Sequence, residues 1–266
     1  FNSNHKISKY VTVRNTLSYA RVRGVGVSTN SEFGSPLSRA INIDPITPLL
    51  ETREEVLNAS VFQNFPVVTN EDGIPYGISD LVTSEVLNPV AALAVQEGYG
   101  WSDKVVGNIT LELNLFDGVK FISRAGADLA FWGGEGFTPV YYLNAANRVD
   151  INRYNRSQNR GIFWNWENFL SYNKSFGDHT IGLLAGTTAE RNSGQGIGGS
   201  IQNIPVDNLE DASLAFSTPV ESQSYYGFEY LNTLVSYLGR FQYNYQQKYL
   251  LSATLRTDGS SRFGSN

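Results

Sequence analysis

The sequence predicts an all-β fold: an antiparallel transmembrane β-barrel segment of about seven strands with long loops. Three observations predict it. Stretches of roughly 11 to 15 residues alternate apolar and polar side chains, the signature of strands with one greasy and one wet face. They are longer than the usual 5 to 6 residues of soluble strands and reach the roughly 9 to 11 needed to cross a bilayer at a tilt. The connections also alternate between tight turns at 116–118, 176–178 and 246–248 and long segments at roughly 22–103, 133–160 and 191–230. Short turns at one rim and long loops at the other are the pattern of outer-membrane barrels, with the short-turn rim periplasmic.

The elements follow in order. Near the start, Val11, Val13, Leu17 and Tyr19 alternate with Thr12, Arg14, Thr16 and Ser18. The clearest strand comes next: Val105, Gly107, Ile109, Leu111, Leu113 and Leu115 alternate with Asn108, Thr110, Glu112 and Asn114. Asp117-Gly118 is a tight-turn dipeptide. Beyond it, Lys120, Arg124 and Asp128 mark the wet face of a strand over 119–131. Ile162, Trp164, Trp166, Leu170 and Tyr172 then alternate with Asn165, Glu167, Ser171 and Asn173. A turn at 176–178 leads into a strand from His179 to Glu190. Val235, Tyr237, Phe241, Tyr243 and Tyr245 alternate with Ser236, Arg240, Gln242 and Asn244, and a last strand opens at Tyr249. Ile109, Leu111, Leu113, Trp164, Trp166, Val235 and Tyr237 are expected to face lipid. Asn108, Glu112, Arg124, Asp128 and Arg240 are expected inside, because charge in hydrocarbon is costly. Aromatics near strand ends (Phe131, Trp132, Phe176, Tyr245 and Tyr249) fit interfacial girdles.

Composition narrows the function classes. Charged residues make up only 17% of the chain, below the typical quarter, and the aromatic share of 13% suits strands better than helices. The net charge of −5 offers no basic stripe for nucleic acid. Cysteine is absent and the only histidines are His5 and His179, which argues against disulfides and zinc. No apolar run reaches the roughly 20 residues of a spanning helix. With no Met, Phe1 is expected to follow a processing event or to lie inside a longer protein.

Each candidate motif has a plain structural reading beside it. Gly194, Gly196 and Gly199 match a dinucleotide-binding glycine pattern, but no helix can open before Pro205, so a flexible loop is expected. Thr52 to Glu55 fits a capping box opening a short helix, with Glu51, Glu54 and Glu55 on its solvated face. Asp72-Gly73 and Asn88-Pro89 are turn signals. Asp207, Glu210 and Asp211 are loop acids of a kind that can hold a hard cation, though such acids are common. His179 is read as structural or interfacial. Lys120, Arg124, Arg240 and Arg256 are read as satisfied lumen charges. No catalytic residue, metal or cofactor is assigned, and the chain is read as a non-enzyme. The best ligand-facing candidates are Trp132, Phe137, Tyr141 and Tyr142, beside Gly133, Gly134 and Gly136; such rings stack on sugars or pack on peptide side chains, and loop packing is the alternative.

The run from Tyr249 to Gly264 carries Arg256-Thr257-Asp258-Gly259-Ser260-Ser261-Arg262-Phe263-Gly264. It closely resembles a stretch of the SusC/RagA family of TonB-linked outer-membrane transporters. Asn88-Pro89-Val90-Ala91, Val106-Gly107-Asn108 and the strand from His179 to Gly186 agree with that resemblance, which is diffuse elsewhere. The resemblance implies import of oligosaccharides or peptides across a Gram-negative outer membrane. It also implies a SusD-like surface lipoprotein as partner and energy delivered through TonB. No segment resembles the plug, the TonB-contacting box or the N-terminal carboxypeptidase-regulatory-like domain. About seven strands also fall short of the roughly 22 in such transporters. Residues 1–266 are therefore expected to be an internal barrel segment, with TonB contact made elsewhere. Within the motif, Arg256, Asp258 and Arg262 are expected to form a charge-assisted network, with Gly259 freeing a turn at the rim. Ser260 and Ser261 then bond to that turn. A secreted β-sandwich carbohydrate-binding module is the alternative, and a passive porin is a weaker third.

Overall fold

The computed structural model describes residues 1–27, 31–32, 34–82 and 86–264. Among them, eight strands form one antiparallel sheet. Its order is β1 (Asn2–Lys6), β2 (Val11–Gly24), β3 (Glu97–Phe116), β4 (Val119–Thr138), β7 (Arg153–Phe176), β8 (His179–Gln202), β9 (Gln223–Tyr245) and β10 (Tyr249–Ser260). A separate hairpin, β5 (Tyr141–Asn144) and β6 (Asn147–Val149), projects from the β4–β7 connection. All seven expected strands are present. The eighth, β1, is polar throughout and pairs through its backbone with β2, so it carries no alternation to read.

Register places the two sets of side chains on opposite faces. One cross-strand row runs Val11, Leu113, Phe121, Leu170, Ala185, Gly239, Leu255. A neighbouring row on the other face runs Arg14, Thr110, Arg124, Glu167, Thr188, Ser236, Asp258. Among the described residues no second sheet packs on the apolar face, and Ile109, Trp166 and Tyr237 are more than half exposed on it. The chain exposes 17392 Å², where a compact protein of its 29.4 kDa would expose about 11,500 Å². An open sheet with an uncovered apolar face is thus the architecture, which excludes the β-sandwich alternative.

The strands are longer than the pattern indicated: β3 and β4 have 20 residues, β7 and β8 have 24, and β9 has 23. The long connections shrink accordingly to 25–96, 139–152 and 203–222. The cause is the solvent. On β7 the outward side chains from Ile162 to Tyr172 are apolar except for Asn168, then become Arg160, Gln158 and Arg156. Above that level both faces are wet, so alternation fades although hydrogen bonding continues.

The tight-turn rim is set by local backbone chemistry. Gly118 and Gly177 have φ of +79° and +58°, and Gln246 and Gln247 hold +52° and +54° in the third turn. A Cβ on Gly118 would lie 2.6 Å from the Asn173 carbonyl oxygen, so glycine is required there twice over. His179, Tyr243, Tyr245 and Tyr249 cluster at this rim, with the His179 Nδ1 2.6 Å from the Tyr243 hydroxyl. His179, read as structural or interfacial, thus has tyrosine partners at this rim.

At the other rim the connections fold into two layers on opposite faces. The described residues of the 25–96 segment carry four short helices: α1 (Pro36–Asn42), α2 (Glu54–Leu57), α3 (Ser60–Asn64) and α4 (Pro89–Ala94). Leu87, Ala91, Ala92 and Val95 pack with Leu143 of β5, above the inward positions Gly98 and Gly136. The 203–222 segment instead covers the outward positions Phe137, Tyr154 and Ile201 with Ile204 and Leu209. Asn152 ties it down through the carbonyls of Ile204 and Val206 at 2.8 and 2.7 Å.

The helix expected after Thr52 forms, but not by the expected cap. Arg53 takes the N-cap position without a side-chain bond. Glu51 is not on a solvated face: its side chain is 1% exposed and is held by Arg53 Nε at 2.8 Å and by the second guanidinium nitrogen at 2.6 Å. These hydrogen bonds from Arg53 keep the Glu51 carboxyl below the ordinary glutamate range. A depressed folded-state pKa stabilises fully above the unfolded value and is lost as pH falls through the folded one. Protection of the 49–57 backbone in hydrogen exchange is therefore expected to stay constant down to about pH 4.3 and to fall below it. Glu51→Gln is expected to remove that dependence; a variant that still loses protection at the same pH would contradict the assignment. Asn88 does more than turn the chain. It caps α4 at Val90 and Ala91, and its amide donates to the Leu49 carbonyl at 3.0 Å, tying the segment's two halves together. Asp72-Gly73 forms the expected turn, with Gly73 at φ +78°.

Candidate functional site

The inner wall is polar, and several of its charges are paired side by side. Glu112 takes Lys120 at 2.7 Å and Arg14 at 3.1 Å, Asp128 takes Lys104 at 2.8 Å, and Glu167 takes Arg124 at 3.3 Å. Arg240 donates to Thr254 Oγ1 at 3.3 Å. These contacts link neighbouring strands and satisfy the cations expected in the lumen.

In the C-terminal motif, Arg256 Nε donates to Asp258 Oδ1 at 2.8 Å, and its guanidinium also reaches Ser236 Oγ at 3.2 Å. Arg262 stands apart from this pair and donates to Asn232 Oδ1 at 2.8 Å. Gly259 does not turn. It continues β10 opposite Val235, and the chain leaves the sheet only after Ser260. Ser261 then clasps the exit, its N–H donating to the Thr233 carbonyl while the Thr233 N–H donates to Ser261 Oγ. Phe263 is exposed. Arg256 and Asp258 are about half exposed, so the penalty of a fully buried broken pair does not apply to them.

The four aromatics singled out by sequence do not form one array. Trp132 and Phe137 lie in β4 on opposite faces, not in a loop. Phe137 is 2% exposed in the outer layer, and Tyr142 is buried against Phe65, ring centroids 4.5 Å apart. Tyr141 packs at the edge of the inner layer. Trp132 keeps an inward position, its ring 3.3 Å from where a Cβ on Gly161 would stand.

Sequence reading missed a second group. Gly194, Gly196 and Gly198 are not in a flexible loop; they lie inside β8, paired with β7 and β9. Tyr230, Phe228 and Tyr226 of β9 stand beside them on the inner face, each ring filling the volume a glycine Cβ would take. The glycines permit close ring-on-backbone packing there. The signal was present as Gly-x-Gly-x-Gly in one segment and three rings at alternate positions in another, but both fell within a stretch read as a loop. Asp207, Glu210 and Asp211 do not gather: among the described residues no group of three acidic, histidine or cysteine side chains is arranged to hold a metal.

A single sheet of long strands, apolar outward and polar inward, with tight turns at one rim and folded loops at the other, defines the class: the wall of an outer-membrane β-barrel. No protein-family model matches the chain. TonB-dependent receptor P3 of Formosa agariphila is 35% identical over 215 residues, covering 75% of this chain and 19% of that protein. TonB-dependent receptor SusC of Bacteroides thetaiotaomicron is 25% identical over 247 residues, covering 90% of this chain and 23% of its own length. The solved structure of the RagAB peptide transporter superposes with a TM-score of 0.71 at 15% identity over 99% of this chain and 27% of that one, a likeness of fold. These matches support a SusC/RagA-family segment of a TonB-dependent receptor. The chain spans about a fifth of the length of the curated relatives it matches.

Proposed function

We propose that residues 1–266 all belong to a barrel domain and form wall and extracellular loops of a TonB-dependent importer of oligosaccharides or peptides. A SusD-like surface lipoprotein is its partner, and TonB contact falls outside these residues. The observation that carries the reading is the two-faced sheet: a wall with an apolar outer band and a paired-charge inner face separates lipid from a water-filled path. Further strands complete the barrel at the open edges β1 and β10. Of the four aromatics, Trp132 and Tyr141 retain access for ligand contact, while Phe137 and Tyr142 hold the loop layers in place. The test is uptake and pull-down with the full-length transporter in cells. Import of a bound oligosaccharide or peptide should stop when the proton gradient is collapsed, and a tagged copy should retain a surface lipoprotein. Gradient-independent leakage of many small solutes would instead mark a passive porin.

Arg256 and Asp258 are proposed to shape the wall and not to bind ligand. Arg256→Ala and Asp258→Ala are each expected to lower the amount of assembled barrel in the outer membrane, read as the heat-modifiable band on a gel. Asp258→Asn should do less, because it keeps a hydrogen-bond acceptor for Arg256. Normal assembly with a selective loss of ligand affinity would reassign the pair to a ligand site.

A further inference from the structure

The row of Tyr226, Phe228 and Tyr230 is open where the proposed function needs an entering ligand. All three rings lie on the inner face of β9, between its loop end at Gln223 and the apolar outer band that begins at Val235. The row therefore sits above the bilayer, in the vestibule. One side of each ring rests on the glycine track of β8. The rings nonetheless remain 59%, 43% and 39% exposed. Phe228 and Tyr230 are near-parallel at 7°, with centroids 6.4 Å apart. Alternate residues of one strand repeat at about 6.6 to 6.8 Å, so the backbone itself spaces the rings as a regular series. Trp132 and the Tyr230 hydroxyl both approach Gly161, at 3.3 and 3.8 Å from a built Cβ, which carries the aromatic surface across β8 and β7 to β4.

The charges of this region select the ligand class. Over 155–161, 192–200 and 224–232, the inward side chains are Asn, Ser, Gly, Tyr and Phe, with no Asp, Glu, Lys or Arg among them. The charged residues of the same stretches (Arg156, Arg160 and Glu229) occupy outward positions. A peptide brings two charged termini and commonly charged side chains, and finds no counter-charge among these side chains, apart from Arg262, which donates to Asn232 at the lower end of the stretch. The apolar C–H face of a sugar ring stacks on an aromatic face, while its hydroxyls bond to amides such as Asn155 and Asn192.

We propose that Tyr226, Phe228 and Tyr230, seated on the glycine track and extended by Trp132, form a stacking rail for an uncharged oligosaccharide entering the vestibule. This rests on the import reading and adds the ligand class and its contact residues. The test uses the full-length transporter in detergent, with correct assembly verified by heat-modifiable migration. It is titrated with a panel of short neutral oligosaccharides and, separately, with a peptide library of similar length. Wild type should bind at least one neutral oligosaccharide. Phe228→Leu and Tyr230→Leu keep apolar bulk over the glycines but remove the π-face, and each should weaken binding about three- to tenfold. Phe228→Tyr should bind as wild type. Binding of peptides alone, of nothing in either panel, or of oligosaccharides with undiminished affinity in both leucine variants would overturn the rail. Energised uptake of peptides alone would remove the rail and leave import standing. Rail-dependent sugar binding without energised uptake would do the reverse.

Discussion

Leu111→Arg is expected to abolish most assembled barrel, while Asn108→Lys on the same strand leaves assembly close to normal. Leu111 lies midway along the outward run from Val105 to Leu115, opposite Val13 on one neighbour and Ser123 on the other. A cation there faces the middle of the hydrocarbon, at about 2–4 kcal/mol. No outward carboxylate stands directly beside it to offset that cost. Asn108 points the other way, is exposed on the wet face and donates to Thr16 Oγ1 at 2.6 Å, so a lysine there reaches water. The measurement is the heat-modifiable fraction of the full-length protein in outer-membrane preparations. Equal assembly of the two variants would show that the outward band does not face lipid.

The 266-residue chain on its own, transferred to detergent-free buffer, is expected to aggregate and to give no soluble monomer. Its surface exceeds that of a compact protein of the same mass by roughly half, and the excess includes Leu17, Tyr19, Ile109, Trp166, Leu251 and Leu255 on one continuous face. The two buried clusters lie in the loop layers, not between sheets, so among the described residues nothing else covers this face. The edge strands β1 and β10 also present unpaired backbone groups, which template pairing between chains. Size exclusion and a thermal scan decide it. A monomer with a sharp cooperative melt would require a hidden core and would overturn the wall assignment.

Much of the wall was legible because the bilayer writes on sequence with period two. Where one face meets lipid, each strand must alternate, and Ile109, Leu111, Trp164, Trp166 and Val235 can be assigned a side from the chain alone. The tight turns were legible for a local reason. Asp117-Gly118 can adopt a positive φ cheaply, and no distant residue is needed to see it. The C-terminal motif pointed to the family, but not to its geometry: Arg256 and Asp258 pair as anticipated, whereas Arg262 turns to Asn232 and Gly259 stays extended.

The sequence by itself therefore determined the fold class, the order of the main strands, their inward and outward faces and the location of the tight turns. All of these follow from neighbours close along the chain or from the solvent each face meets. Only the tertiary structure decided how far the strands run above the bilayer, because there both faces are wet and periodicity carries no information. It also decided that the 25–96 segment folds over the inner face and 203–222 over the outer one, and that Phe137 and Tyr142 are packed away while Trp132 is not. The glycine track and the rings of β9 are the plainest case. Gly196 reads as a loop residue until β9 is laid beside it at the register that sets Phe228 across from it. That pairing joins residues 32 positions apart, and nothing local to either strand encodes it.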